Sequence, residues 1–156
     1  MNARFENYLS ALKPKQRELV REGVAQYLMG EGEMTSIYNA ADAYQLMRFL
    51  STKDVEFGYI IIMRKYRVID TRKISEGGLT QTCIDGRIVF RELLMQNATS
   101  YILVHNHPSG SLNPSREDDE LTKRINEASD IVGIKLIDHI IIGNGNYYSY
   151  KEQGRL

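Results

Sequence analysis

The sequence predicts an α/β domain in which a mixed β-sheet is layered between helices. Three observations lead there. The runs Phe57 to Met63, Tyr101 to His105 and Ile134 to Ile142 have strand length and a β-branched or aromatic apolar character. Segments with apolar residues at helical spacing stand between them. The first of these runs is continuously apolar rather than alternating, as expected of a strand covered on both faces.

Residues 3–29 read as helical, with Leu9, Leu12, Leu19, Val20, Val24, Tyr27 and Leu28 near helical spacing. Pro14 is expected to begin a second helix there, because its fixed φ and missing N–H suit a first turn. Gly30-Glu31-Gly32-Glu33 is a polar break and a candidate linker. Asn39 is placed to cap a helix from Ala40 to Leu50 whose apolar face holds Ala43, Leu46, Met47 and Leu50. Phe57 to Met63 and Tyr66 to Ile74 follow as strands, and Gly77-Gly78 ends the second. Asp85-Gly86 starts a helix from about Arg87 to Gln96. Tyr101 to His105 is a strand, and Ser115 to about Ile131 a helix with Leu121, Ile125, Ala128 and Val132 on one face. Ile134 to Ile142 is a strand. Gly143-Asn144-Gly145-Asn146 is a turn from which Tyr147 to Tyr150 returns as the last strand. The expected organisation is an N-terminal helical segment, 1–36, and one domain over 37–156.

Composition narrows the function classes. Lys plus Arg and Asp plus Glu are 20 each in 156 residues, so net charge is zero. That argues against broad electrostatic capture of nucleic acid or an anionic membrane. The single cysteine, Cys83, excludes an internal disulfide and a cysteine-rich zinc knuckle. The start, Met1-Asn2-Ala3-Arg4-Phe5-Glu6, has no apolar stretch of signal-peptide type, and the longest apolar runs are too short to span a bilayer. A reducing, cytoplasmic setting is the expectation.

The chemistry concentrates in His105-Asn106-His107-Pro108-Ser109-Gly110 and Pro114-Ser115-Arg116-Glu117-Asp118. In an extended strand, residues i and i+2 point the same way, so His105 and His107 can converge at the strand end. That suits a divalent metal, with Asp118 closing the site from the next element. A capping box by itself accounts for Ser115 and Asp118. It leaves unexplained two histidines bracketing one residue and followed by a Pro-Ser-Gly turn. Two imidazoles and one carboxylate leave a fourth zinc position for water, whose pKa falls to about 7. A nearby carboxylate must then move the proton, and a donor must meet the developing oxyanion. Ser115, near the metal without binding it, suits that last task.

The spacing His105-x-His107, seven residues, Ser115, two residues, Asp118 resembles the metal motif of the JAB/MPN (JAMM) metallopeptidases. The wider text resembles the bacterial RadC-like branch of that family. It does so at Val104–Gly110, Pro114–Asp118, Leu136-Ile137-Asp138-His139-Ile140-Ile141-Ile142-Gly143 and Ile74-Ser75-Glu76-Gly77-Gly78. The resemblance covers roughly 37–156. It implies a JAB/MPN-like, cytidine-deaminase-like architecture, with zinc held by His105, His107 and Asp118. Ser115 would stabilise the oxyanion, and Glu56, at the entrance of the first core strand, would be the general base. The implied activity is a zinc-dependent hydrolase, a metallopeptidase or isopeptidase, acting on a peptide or isopeptide substrate through a metal-activated water. The alternative is a non-catalytic or DNA-repair-associated accessory protein.

Many relatives carry a longer N-terminal region with a helix-hairpin-helix element. Residues 1–36 hold five basic residues against five acids and no glycine hairpin, which weakens direct nucleic-acid binding. Those helices are instead a candidate for homo-oligomer contacts. A zinc nucleobase deaminase is excluded, because it needs H-x-E and P-C-x-x-C. His139 is expected as a structural partner of Asp138 or a support behind the site, not a fourth ligand. Arg64, Lys65, Arg67, Arg72 and Lys73 with Tyr66 read as a solvated basic face. The Tyr147-Tyr148-x-Tyr150 cluster reads as edge-strand packing.

Overall fold

The computed structural model describes residues 10–18, 20, 36–77 and 84–156. The chain divides into two compact units, Met1–Thr35 and Ser36–Leu156. In the first, residues 11–13 are non-helical and residues 14–18 are helical, so a helix does begin at Pro14. The rest of the expected N-terminal helical segment, the 30–33 break and Cys83 lie outside the described residues.

The second unit opens with helix α1, Ala40–Met47, capped reciprocally. The Asn39 side chain accepts from Asp42 N at 2.9 Å, and the Asp42 carboxylate accepts from Asn39 N at 3.3 Å. The helix does not run on as α to Leu50. It tightens into a 3-10 turn over Arg48–Thr52, which still buries Leu50. A tightened last turn satisfies terminal carbonyls where no glycine is present to reverse the chain.

Strand β1 (Phe57–Arg64) pairs antiparallel with β2 (Arg67–Glu76) and, on its other edge, with β3 (Ser100–Asn106). Between β2 and β3 lies α2, Gly86–Met95, whose Asp85 cap accepts from Arg87 N at 2.9 Å. From β3 the chain crosses through α3, Arg116–Val132, to β4, Lys135–Gly143, which lies parallel to β3. Asn144 and Gly145, at φ of 48° and 70°, form the tight turn into β5, Asn146–Ser149, which pairs antiparallel with β4. The five-stranded sheet has the order β2-β1-β3-β4-β5, mixed as the sequence predicts.

Both faces of the sheet are covered. Ile60, Ile62, Tyr101 and Leu103 face Val89 and Leu93 of α2 and Ile125 of α3. Ile61, Met63, Ile102 and Val104 face Ala43 and Met47 of α1. Helix α3 keeps only part of the expected apolar stripe: Ile125 is buried and Leu121 packs against the core. Its buried residues are Asp118, Thr122, Ile125 and Ser129, and Val132 is exposed. A buried polar group is tolerated only with a partner, and each of these has one. Ser129 meets the Tyr101 hydroxyl at 2.7 Å, Asp118 turns towards the end of β3, and Thr122 towards His139 on β4, as described below.

Beyond β3 the chain loops back to α3 through Gly110 and Ser111, which rest on Gly143. A Cβ at Gly143 would lie 2.7 Å from Gly110 O and 2.9 Å from Ser111 O, both backbone atoms. Gly143→Ala is therefore expected to displace this loop and cost about 1–3 kcal/mol of stability in denaturant unfolding. Gly145→Ala, where only a φ of 70° is at stake and nothing lies within 4 Å, should cost about 1 kcal/mol. Equal effects would show that the close approach at Gly143 is unimportant.

Candidate metal centre

The carboxyl ends of the parallel strands β3 and β4 and the first turn of α3 meet at one point. His105 ends the ladder with β1, opposite Gly58, and is almost wholly buried. His107 lies one step past the strand, its N–H still donated to Ile142 O at 2.9 Å. The two imidazoles converge as the i, i+2 argument requires, with Nε2 atoms 3.1 Å apart. Asp118 completes the group: Oδ1 lies 3.1 Å from His105 Nε2, and Oδ2 lies 3.3 Å from His107 Nε2.

This group can hold a metal ion. With ligand bonds of about 2.0–2.1 Å, tetrahedral geometry places neighbouring donor atoms about 3.3 Å apart, close to the spacings here. Two imidazole nitrogens that face each other at this distance also need a proton or a cation between their lone pairs. His107 is oriented for that role. Its Nδ1 lies 2.9 Å from Ser111 O, which can only accept, so Nδ1 carries the proton and Nε2 faces the site. Seating Ser111 against Gly143 therefore fixes the aim of His107.

Asp118 is at once a ligand candidate and the N3 residue of a capping box. Its Oδ2 accepts from Ser115 N at 2.8 Å and from the Ser115 hydroxyl at 2.6 Å, while Asp118 N donates to Ser115 Oγ at 3.1 Å. Burial works to raise the Asp118 carboxyl. The adjacent His105 and His107 imidazoles and the hydrogen bond from the Ser115 hydroxyl outweigh it and hold the group well below the ordinary carboxylate range. His107 is shifted upwards, chiefly by its bond to Asp118.

Glu56 precedes β1 and shares a cleft of about 540 Å³ with His105, Asp118, Ile84, Leu121 and Arg124. Desolvation pushes its carboxyl above the usual value, against the pull of His105 and His107. Asn106 fixes the backbone on both sides of it. Asn106 Oδ1 accepts from Phe57 N at 2.8 Å and Nδ2 donates to Val55 O at 3.1 Å. Asn106 is not among the sequence-predicted site residues. Its signal was an asparagine inside an otherwise apolar strand, where a buried amide needs partners.

Other expectations can be placed. His139 stands behind the site, its Nε2 2.8 Å from His105 Nδ1, and does not join the ligand group. Burial drives it well below the ordinary imidazole range. The Asp138 carboxylate accepts from His139 N, the Ser149 hydroxyl and Lys151 N, and so ties β5 and the following turn to β4. Tyr147 packs on Tyr44, and Tyr150 stacks on His139 with ring centroids 4.9 Å apart. In the basic stretch, Arg72 pairs with Asp70 and Lys73 with Glu76, each at 2.6 Å, and Arg64 donates to the carbonyls of Gln96 and Asn97. These cations serve the sheet edge and the end of α2. No helix among the described residues is long and apolar enough to cross a membrane.

Comparison with known proteins agrees with this geometry. The family described as the RadC-like JAB domain matches residues 37–155. A UPF0758 protein of Caldanaerobacter subterraneus subsp. tengcongensis is 41% identical over 144 residues, covering 90% of this chain and 61% of that protein. One of Bacillus licheniformis is 39% identical over 150 residues, covering 95% of this chain and 59% of its own length. One of Flavobacterium johnsoniae is 34% identical over 149 residues, 86% of this chain and 65% of that protein. The chain thus spans about three fifths of the length of the first two curated relatives. With a five-stranded mixed sheet, helices on both faces and a His-His-Asp group at the strand ends, the chain belongs to the RadC-like JAB domain family.

Proposed function

We propose that this domain is a zinc-dependent hydrolase of peptide or isopeptide bonds. The observation that carries the reading is the convergence of two imidazoles and a carboxylate at 3.1–3.3 Å beside a half-buried glutamate in an open cleft. His105, His107 and Asp118 would hold the ion. When bound, zinc supplies an activated water and a positive charge beside the substrate carbonyl. Glu56 takes the proton of the attacking water and returns it to the leaving nitrogen. A carboxyl shifted upwards by burial is a stronger base than an exposed glutamate, which favours taking up the proton. Ser115 donates its hydroxyl to the tetrahedral oxyanion, a role in which the oxyanion replaces Asp118 Oδ2 as its acceptor.

Elemental mass spectrometry of the purified chain should find about one zinc per chain, lost in His107→Ala. Glu56→Gln should keep the metal and lower turnover of a peptide or isopeptide panel by about 10²–10⁴-fold. Full activity in that variant would overturn the assignment of the base. Asn106→Ala is expected to keep zinc while lowering kcat, because the backbone around Glu56 loses both its ties. Unfolding should become easier by about 2–3 kcal/mol, as a buried donor and acceptor lose partners. Unchanged kcat in a folded, zinc-loaded variant would remove Asn106 from the base's support.

Zinc affinity should rise with pH through the titration of His107. A raised imidazole pKa means that the ring stays protonated to higher pH, so the proton competes with the metal below that point. Chelator competition at several pH values measures this. A flat profile between pH 5 and 8, on the order of the window in which imidazoles titrate, would show that no proton is displaced.

A further inference from the structure

We infer that Thr122 is a positioning residue. Through His139, its hydroxyl fixes which nitrogen of His105 carries the proton, and so keeps the Nε2 lone pair of His105 aimed at the metal position. This rests on the metal reading above but is independent of hydrolysis.

The relay runs along four contacts, from a group whose role is not negotiable. The Asp118 backbone carbonyl can only accept. Thr122 Oγ1 lies 2.6 Å from it, so the hydroxyl spends its one proton there. Oγ1 then has only lone pairs to offer. His139 Nδ1 lies 2.6 Å away, so Nδ1 must carry a proton. A neutral His139 is left with a lone pair on Nε2, and that atom is 2.8 Å from His105 Nδ1. The proton between them belongs to His105 Nδ1. A neutral His105 is then left with its Nε2 lone pair directed at His107 Nε2 and Asp118 Oδ1. Thr122, His139 and His105 are each 3% exposed or less, so bulk water does not compete at any link.

The path also closes on itself. It starts at the Asp118 carbonyl and ends beside the Asp118 carboxylate, so two of the three ligands are set by one circuit. A histidine ligand usually passes its second N–H to a carboxylate, a carbonyl or water. Here the acceptor is another imidazole, which accepts only in one tautomer. The hydroxyl of Thr122 selects that tautomer. The stacked Tyr150 ring, 5° from parallel, holds the His139 plane in place without competing for either nitrogen. The buried polar stripe of α3 acquires a purpose in this way, since Thr122 sits one turn below Asp118 on the same face.

The test uses the full chain with Thr122→Val, which keeps the shape and removes the hydroxyl, and Thr122→Ser, which restores it. Ser129→Ala is the control for losing a buried hydroxyl elsewhere on the same stripe. Zinc affinity is read by chelator competition, and the tautomers by nitrogen-15 NMR of labelled histidine in the metal-free protein. In the wild type His105 and His139 should both be Nδ1-protonated. Thr122→Val should move them towards the Nε2-protonated form and weaken zinc binding about ten- to hundredfold. Thr122→Ser should stay within a few-fold of wild type, and Ser129→Ala should lose stability without losing affinity. Wild-type tautomers and affinity in Thr122→Val, or a Thr122→Ser as weak as the valine, would overturn the proposal. Should the wild type bind no zinc, the metal reading fails, and the tautomer shift between Thr122→Val and wild type still decides the relay.

Discussion

The carboxylate of Asp118 serves two demands at the same atoms. The N-terminus of α3 presents unpaired N–H groups, and Asp118 reaches back to Ser115 to satisfy them. The same carboxylate faces both imidazoles. Negative charge at a helix start is favourable in its own right, so the helix stabilises the ionised form that the histidines also require. Removing the carboxylate would both fray the helix and strip the centre of its anion. The position of α3, and with it the cleft beside Glu56, is tied to that one side chain.

The remaining parts are brought to Asp118 by the sheet. Parallel pairing of β3 and β4 puts their carboxyl ends side by side, where the crossover through α3 must begin. β1 runs the opposite way, so its start, with Glu56 just ahead of it, lies at that same edge. The amide of Asn106 takes over from the ladder where main-chain pairing stops and pins the entry to β1. The entry to β1, the stretch from the end of β3 to the start of α3, and the end of β4 are thereby held together by side chains that each answer a local backbone need.

Most of this was legible before folding was considered. The runs Phe57 to Met63 and Ile134 to Ile142 announced buried strands, and the His-x-His spacing announced convergence, because strand alternation is a strictly local property. The capping box and the metal motif competed as explanations of Ser115 and Asp118; in three dimensions the same carboxylate makes the cap and also faces both imidazoles. What could not be read was long-range. The stripe of α3 looked apolar through Leu121, Ile125, Ala128 and Val132. Ile125 and Leu121 do pack against the core, but the helix also turns Asp118, Thr122 and Ser129 inwards, because β3 and β4 supply partners for them. Periodicity cannot see partners that lie on other strands. The end of α1 was missed for a smaller reason: a 3-10 turn keeps the apolar spacing near enough to helical that Leu50 fits either.

The alternation along β3 has a further consequence, for how such a chain tolerates insertions and deletions. His105 and Asn106 point in opposite senses, one towards the ion site and one towards the entry of β1. One residue added or lost between Ile102 and Val104 would exchange those directions. It would send an amide to the metal position and an imidazole to the backbone of Val55 and Phe57, while leaving the hydrophobic composition of the strand nearly intact. A substitution in this strand is graded in its effect, whereas a change of length is all or nothing. The part of the domain least able to change its length is the seven-residue strand that carries both the proposed chemistry and its support.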